Sequence, residues 1–249
     1  MGIQYIKKCA AAMAAVLLAG VSANAAPMVF VGSSGNLSAS ASFDIVGGQL
    51  QLTLVNTSAA DVMNPAEVLT AIFFSLNGNP SLSSVSAVLG AGSSVVYDAQ
   101  GQPAGGVVGG EWGYRNGLSG APLGANSGIS SSGFGLFGDA SFPGAGLQDP
   151  DALDGVQYGI LSAGDNTATG NGGITGSGGL IKNSVVFTLG NLPAGFSLAD
   201  ISNVTFQYGT SLGEPNVPVP EPTTVIAGAL LLLPFAASTV RFMRKNRKA

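Results

Sequence analysis

The stretch LSASASFDIVGGQLQLTL, residues 37–54, decides the fold class. Leu37, Ala39, Ala41, Phe43 and Ile45 alternate with small or polar residues, and Leu50, Leu52 and Leu54 alternate with Gln49, Gln51 and Thr53. A period of two belongs to a strand with one buried face. Between the runs stands Gly47-Gly48, which supplies the positive φ angles of a type I′ hairpin turn. A two-residue loop there pairs Val46 with Gln49, hence Ile45 with Leu50, Phe43 with Leu52 and Ala41 with Leu54. All six apolar residues then share a face. A slip of one residue would turn one strand's set to solvent, so turn and pattern predict the same hairpin.

Working outward, Asn56-Thr57-Ser58 ends the second strand, and residues 61–69 hold one helical turn with Pro65 near its start. Further strands are predicted over Ala71–Leu76, Val85–Leu89, Ser94–Tyr97, Val156–Leu161, Ser184–Leu189 and Val204–Tyr208. Phe187 and Phe206 sit inside β-rich runs typical of buried strands. Residues 101–146 and 164–179 are Gly-rich, low in apolar content, and read as long loops. Many short strands with Gly, Ser and Asn punctuation predict an all-β fold, an antiparallel β-sandwich of jelly-roll-like form.

Composition narrows the chemistry. Between residues 26 and 222 the only cations are Arg115 and Lys182, set against all thirteen acids, for a net charge of −11. Nucleic acid is therefore not an expected partner, because neutralising phosphates needs Lys and Arg. These 197 residues suffice for one core and contain neither Cys nor His. That removes disulfides, Cys/His zinc sites, Ser-His-Asp and Cys-His nucleophiles and histidine bases. Carboxylate chemistry is left; the body is expected to be no enzyme and to need no cofactor.

Both flanks carry targeting signals. Lys7 and Lys8 precede an apolar stretch from Ala10 to Val21, and Ala23-Asn24-Ala25 is a small-x-small cleavage site. This is the pattern of a secretory signal peptide cut by signal peptidase; its 12 apolar residues are short of a membrane span. At the other flank, Val219-Pro220-Glu221-Pro222 leads into an apolar run, then Arg241, Arg244, Lys245, Arg247 and Lys248. The core of that run, residues 225–240, is 16 residues. Snorkelling by Arg241 and the apolar Phe242 and Met243 extend it toward a span. The positive-inside rule keeps the Arg/Lys tail cytoplasmic. Pro-rich sequence stays extended, because proline cannot join a helix interior and pushes its predecessor to extended angles.

The Pro220-Glu221-Pro222 triplet, placed before an apolar segment and a basic cluster, resembles the PEP-CTERM sorting signal of Gram-negative envelope proteins. The resemblance implies processing by exosortase, an integral membrane enzyme, and a final location in the outer envelope, at the cell surface or in the extracellular polysaccharide matrix. Residues 164–174 (GDNTATGNGGI) and 201–216 (ISNVTFQYGTSLGEPN) look like a group of exosortase-dependent surface proteins. That second likeness spans roughly residues 37–216 and implies no catalytic activity. The expected organisation is a signal peptide over 1–25, a body over 26–214, a Pro-rich linker over 215–222, a transmembrane segment over 223–241 and a basic tail over 242–249. A permanent single-span anchor is the competing reading of the tail.

Two body motifs have chemistry to weigh. Asp149, Asp151 and Asp154 crowd within seven residues that end at Gly155, and oxygen-rich loops bind calcium. The spacing is not that of a calcium loop and no bidentate Glu follows, so a solvated acidic loop is the favoured account. Trp112, Tyr114 and Arg115, beside Glu111, would form a sugar-contact patch if exposed. The favoured reading has Trp112 filling the core and Arg115 pairing with Glu111, since Trp is highly buried on average. The expected function is thus an exported, non-enzymatic envelope or matrix protein, in contact with extracellular polysaccharide. The alternative is a carbohydrate-binding or carbohydrate-processing β-sandwich with the same sorting signal.

Overall fold

The structure, a computed structural model, describes residues 26–98, 101–138, 141–144, 153, 155–176 and 178–220. In chain order its strands are β1 (Met28–Ser34), β2 (Leu37–Val46), β3 (Gln49–Asn56), β4 (Leu69–Leu76), β5 (Ser83–Leu89), β6 (Ser94–Val96), β7 (Gly113–Asn116), β8 (Ser127–Ser130), β9 (Ile160–Leu161), β10 (Leu180–Lys182), β11 (Ser184–Gly190), β12 (Ile201–Tyr208) and β13 (Asn216–Pro218). One sheet has the order β1-β2-β3-β11-β5; the other runs β13-β12-β4-β9-β10-β6, with β8 also on β4 and β7 on β8. The described chain is all-β. Every pairing of these strands is antiparallel except the short parallel contact of β9 with β10.

The hairpin forms in the predicted register: Val46 faces Gln49, Ile45 faces Leu50, Phe43 faces Leu52 and Ala41 faces Leu54. Gly47 and Gly48 take φ of 59° and 78°, the left-handed angles a type I′ turn requires. Of the six paired apolar residues only Ile45 is less than fully buried. Phe43 joins the sheets, its ring 5.6 Å from Phe30 on β1 and 5.4 Å from Phe74 on β4, both edge-on, the arrangement aromatic quadrupoles favour. The sheets pack face to face over one core, to which β3 and β11 contribute Leu50, Leu52, Leu54, Val185, Phe187 and Leu189, and β12 contributes Val204 and Phe206.

Two neighbouring connections close one corner. The chain passes from β5 to β6 and from β10 to β11, which pair with each other in both sheets. The buried Asn56 is wedged there: its Nδ2 donates to the Ile160 carbonyl at 2.8 Å, its Oδ1 accepts from Ser58 N at 3.1 Å, and its own N–H donates to the Asn183 carbonyl at 3.2 Å. The side-chain amide thus joins the Ile160 carbonyl of the second sheet to the backbone just after β3, and its hydrogen bonds offset the desolvation penalty of a buried polar group.

The two Gly-rich stretches are not loose loops, and the expectation is corrected here. The described part of 101–146 contains β7 and β8 and covers the outer face of β4. Ala71 and Phe73 point away from the main core into a second cluster with Ala121, Ala125, Phe137 and Leu153. The Phe73 ring lies 6.0 Å from Phe137 and 6.1 Å from Phe134. Glycine is what permits so close a cover: a Cβ at Gly128 would sit 2.9 Å from Phe73 Cδ1, and one at Gly133 would sit 2.1 Å from the Leu153 carbonyl oxygen. The 164–179 stretch is tied down by side chains. Asp165 Oδ1 accepts from Val62 N at 2.8 Å, and Asp61 accepts from Asn166 N at 2.9 Å and Thr169 Oγ1 at 3.1 Å. Its short helix α1 (Gly172–Thr175), capped by Asn171, buries Ile174 against Val62, Val68, Leu161 and Leu180.

The helical turn expected within 61–69 is a single 3-10 turn over Pro65–Glu67, closed by reciprocal bonds between Asn64 and Glu67. The strand predicted over Val156–Leu161 is shortened to β9. Tyr158 adopts φ of 53° and donates its N–H to the Gly179 carbonyl at 2.8 Å, which turns the chain before it can pair. Strands β1, β7, β8, β10 and β13 have no counterpart among the predicted strands. Among the described residues no helix is long and apolar enough to cross a membrane. The expected signal peptide, transmembrane segment and basic tail lie outside them.

Phe43→Ala should destabilise the protein by about 3–5 kcal/mol, the range for truncating a buried aromatic. A denaturant titration checks this; a loss under about 1 kcal/mol would mean that the Phe30–Phe43–Phe74 contact does not hold the sheets together.

Candidate functional site

The sugar-contact candidates do not form a surface patch. A 3-10 turn over Gly109–Glu111 precedes Trp112, which leads into β7. Trp112 is fully buried, its ring 4.9 Å from Phe187, which in turn lies 5.5 Å from Phe142. The Trp112 carbonyl accepts from Phe142 N at 2.9 Å, so the residue is anchored by backbone as well as ring. Tyr114 is also buried, and its hydroxyl reaches no well-formed hydrogen bond. Burial pushes its pKa up; Ser127 and the Leu82 backbone lie close enough to oppose the shift only in part. Glu111 is buried while Arg115 is exposed. Of the three candidates, only Arg115 could touch a ligand in solution, and a single guanidinium without an aromatic platform is not a sugar site.

Just beyond β6, Asp98 Oδ2 accepts from the Tyr158 hydroxyl at 2.8 Å. Desolvation first, then this bond and the charges of Asp98 and Glu111, raise the Tyr158 pKa far above the ordinary phenol value. A phenol held protonated in this way is a positioned donor, not a base. Among the described residues no three His, Cys, Asp or Glu side chains come together to hold a metal ion. Asp149, Asp151 and Asp154 lie outside the described residues; Leu153 between them is buried in the cluster over β4.

Val219 and Pro220, the described half of the expected sorting motif, lie at the edge of the second sheet. The hinge into it is a fixed loop. Glu214 accepts from Thr210 N at 2.6 Å and Ser211 N at 2.7 Å. The buried Gln207 Nε2 donates to the carbonyls of Tyr208, Ser211 and Glu214 at 3.0, 3.1 and 3.2 Å. Gln207 Oε1 accepts from Asn216 Nδ2 at 3.0 Å, and Thr205 Oγ1 donates to Asn216 Oδ1. Strand β13 then pairs with β12, Phe206 opposite Val217 and Thr205 opposite Pro218. Val217 is buried, and the Val219 N–H donates to the Val204 carbonyl at 3.0 Å. The expected linker 215–222 is extended over its described part, yet paired: the folded body runs on to Val219, and Pro220 is the first exposed residue beyond it. Glu221 and Pro222, the cleavage residues Ala23 and Ala25, and the cations Arg241, Arg244, Lys245, Arg247 and Lys248 lie outside the described residues.

Comparison with protein-family models, with curated proteins and with solved structures finds no match. The geometry of this edge and the sequence beyond it therefore carry the functional reading.

Two predictions come from these environments. Iodide should quench Trp112 emission several-fold less in the native protein than in denaturant, and soluble polysaccharide should leave that emission unchanged. Efficient native quenching would mean that the indole is exposed. The second concerns Tyr208, at the end of β12. Burial pushes its pKa up to about 12, with Ser58 and the Ser38 backbone opposing in part. The unfolded phenol ionises near pH 10, so the unfolded state loses its proton first and stability should fall between about pH 10 and 12. Tyr208→Phe should reduce that alkaline loss and cost under about 1 kcal/mol at pH 7, because the hydroxyl has no well-formed hydrogen bond to lose. Denaturant titrations at pH 8 and pH 11 check both statements.

Proposed function

We propose that this chain is an exported, non-enzymatic envelope or extracellular-matrix protein whose body, a β-sandwich of jelly-roll-like form, is sorted by a PEP-CTERM-type signal. One observation carries the reading: a strand-paired body that ends at Val219, followed at once by Pro220-Glu221-Pro222, an apolar run and a basic cluster. Signal peptidase removes residues 1–25 on export. The apolar segment 223–241 then holds the body on the outer side of the inner membrane, with the basic tail in the cytoplasm. An exosortase-type membrane enzyme takes the extended Pro-Glu-Pro segment and releases the body to the outer envelope, cell surface or matrix, where extracellular polysaccharide is the partner.

The absence of His and Cys from the body supports a non-catalytic role, since it removes the commonest general bases and activated nucleophiles. Burial of Trp112 speaks against the carbohydrate-binding alternative at that position, because stacking on a sugar needs an exposed ring. Intact mass spectrometry of the protein from its native envelope should find a chain that lacks residues 241–249. Recovery of mostly full-length C-termini would favour a permanent membrane anchor and defeat the sorting reading.

A further inference from the structure

The first and last described residues, Ala26 and Pro220, lie at one end of the body. Strand β1 starts there: Met28 pairs with Phe43, four residues short of the Gly47-Gly48 turn, and β1 runs away from that turn to the Ser34–Leu37 pair. Strand β13 runs the opposite way. Asn216 pairs with Gln207 and Pro218 with Thr205, and Val219 reaches Val204, close to where β12 begins at Ile201. The two strands lie side by side, since a Cβ placed on Gly32 would sit 3.0 Å from Val217 Cγ1. The loops of this end are joined across the sheets: Asn191 Nδ2 donates to the Ser81 carbonyl at 2.9 Å, and Asn77 N donates to the Asp200 carbonyl at 2.9 Å. The exit end is therefore made of the Gly47-Gly48 turn, the 77–82 loop, the 117–126 connection, where Asn126 bonds both backbone groups of Leu76, and the 191–200 loop.

Among the described residues, loop carboxylates are distributed unevenly along the same axis. Asp61, Glu67, Asp165 and Glu214 all belong to the loops of the opposite end, around the starts of β4 and α1 and the β12–β13 connection. On the loops of the exit end, the one described carboxylate is Asp200, and it is occupied: Ser197 N donates to it at 2.9 Å, and together with Asn77 this lowers its pKa. Asp44 stands on β2 three residues before the turn, where its Oδ1 accepts from Ile45 N at 2.8 Å. Strands of 7 or 8 residues separate the two ends, about 25 Å at 3.3 Å per residue. That is about three Debye lengths at physiological salt.

We infer that the precursor stands on the membrane by this exit end, with the Gly47-Gly48 turn and the 77–82, 117–126 and 191–200 loops facing the lipid surface and the acidic loops pointing away. The inference rests on the anchoring reading above and adds an orientation and a docking surface to it. The tether leaves little choice. Only Pro220, Glu221 and Pro222 separate Val219 from the start of the apolar segment at Thr223, a reach of about 14 Å at most. Two of the three are prolines, which restrict the backbone further. Before signal cleavage the second attachment, at Ala26-Pro27, emerges at the same end. An anionic bilayer surface repels carboxylates over about a Debye length, so the end with fewer charges is the one that can approach it. The 191–200 loop offers partly buried Leu192 and Phe196 beside the exposed Pro193 and Ala194.

The test uses the full-length precursor with Cys9→Ser, which leaves no other cysteine in the chain. Single thiols are introduced as Ala194→Cys at the exit end and Ala60→Cys at the opposite end, both at exposed positions. Each is labelled with a fluorophore and reconstituted into vesicles of zwitterionic and anionic phospholipid that carry a headgroup quencher. The Ala194→Cys label should be quenched several-fold more strongly than the Ala60→Cys label. A flexible insertion of about twenty residues between Val219 and Pro220 should bring the two labels toward equality. Equal or reversed quenching in protein that floats with the vesicles would overturn the orientation alone. A difference that survives the insertion would overturn the short tether as its cause. Failure of the precursor to float with vesicles would overturn the anchoring reading, and the orientation with it.

Discussion

Strand β4 has apolar side chains on both of its faces, and the architecture depends on that. Ile72 and Phe74 enter the core between the sheets, while Ala71 and Phe73 face outward. A sheet with one wet face could not leave a Phe there; burying it is worth about 1.5–3 kcal/mol. The chain therefore supplies a cover, the segment containing β7 and β8, from a stretch whose composition alone suggests a loop. Glycine leaves the room this needs: a Cβ at Gly128, opposite Phe73 on β4, would meet the Phe73 and Phe137 rings, and one at Gly133 would meet the Leu153 carbonyl. Glycine content here reflects tight packing onto an apolar strand, not freedom of the backbone.

The same point separates the legible parts of the sequence from the rest. The β2–β3 hairpin can be derived residue by residue, because a two-residue Gly-Gly turn and a period-two pattern constrain one register between them. The central strands β4, β11 and β12, and the edge strand β5, are also visible as apolar, β-branched runs. Strand β1 is hard to read because its outward residues Val29 and Val31 are apolar and exposed, which blurs the alternation. Strands β7 and β8 escape detection because they are four residues each in a stretch rich in Gly and Ser, and it is pairing with the distant β4 that makes them strands. The signal that could reveal them is in β4 itself: the run LTAIFFSL is nearly continuous in apolar residues, the mark of a strand buried on both faces.

For the site, side-chain chemistry can be named from sequence but its exposure cannot. Trp112, Tyr114 and Arg115 are close neighbours in the chain, yet the first two point into the core and the third into solvent. Strand alternation decides that difference for Tyr114 and Arg115. For Trp112 the decision is made by Phe187 and Phe142, which are distant in sequence. The boundary of the body lies beyond its expected place for a related reason. A Pro-rich stretch reads as a linker, but an edge strand tolerates proline where no ladder bond needs its missing N–H. Pro218 occupies such a place at the end of β13.

Proline at this edge also bears on how the body tolerates the segment attached to it. An open strand edge invites pairing with another chain, and Pro is one of the devices that blocks it. Strand β13 is three residues long, ends in Pro218 and leads on to Pro220 and Pro222. The second sheet is thereby closed to further strands at the position where the proposed signal begins. The last backbone bond described at this end is that of Val219 to Val204, so a cut beyond Pro220 would remove none of the pairing that holds Val217 in the core. A cut before Val217 would take away a buried side chain and bare the β12 edge. On the proposed sorting reading, release that leaves the described pairing intact therefore requires the bond to break after Val219.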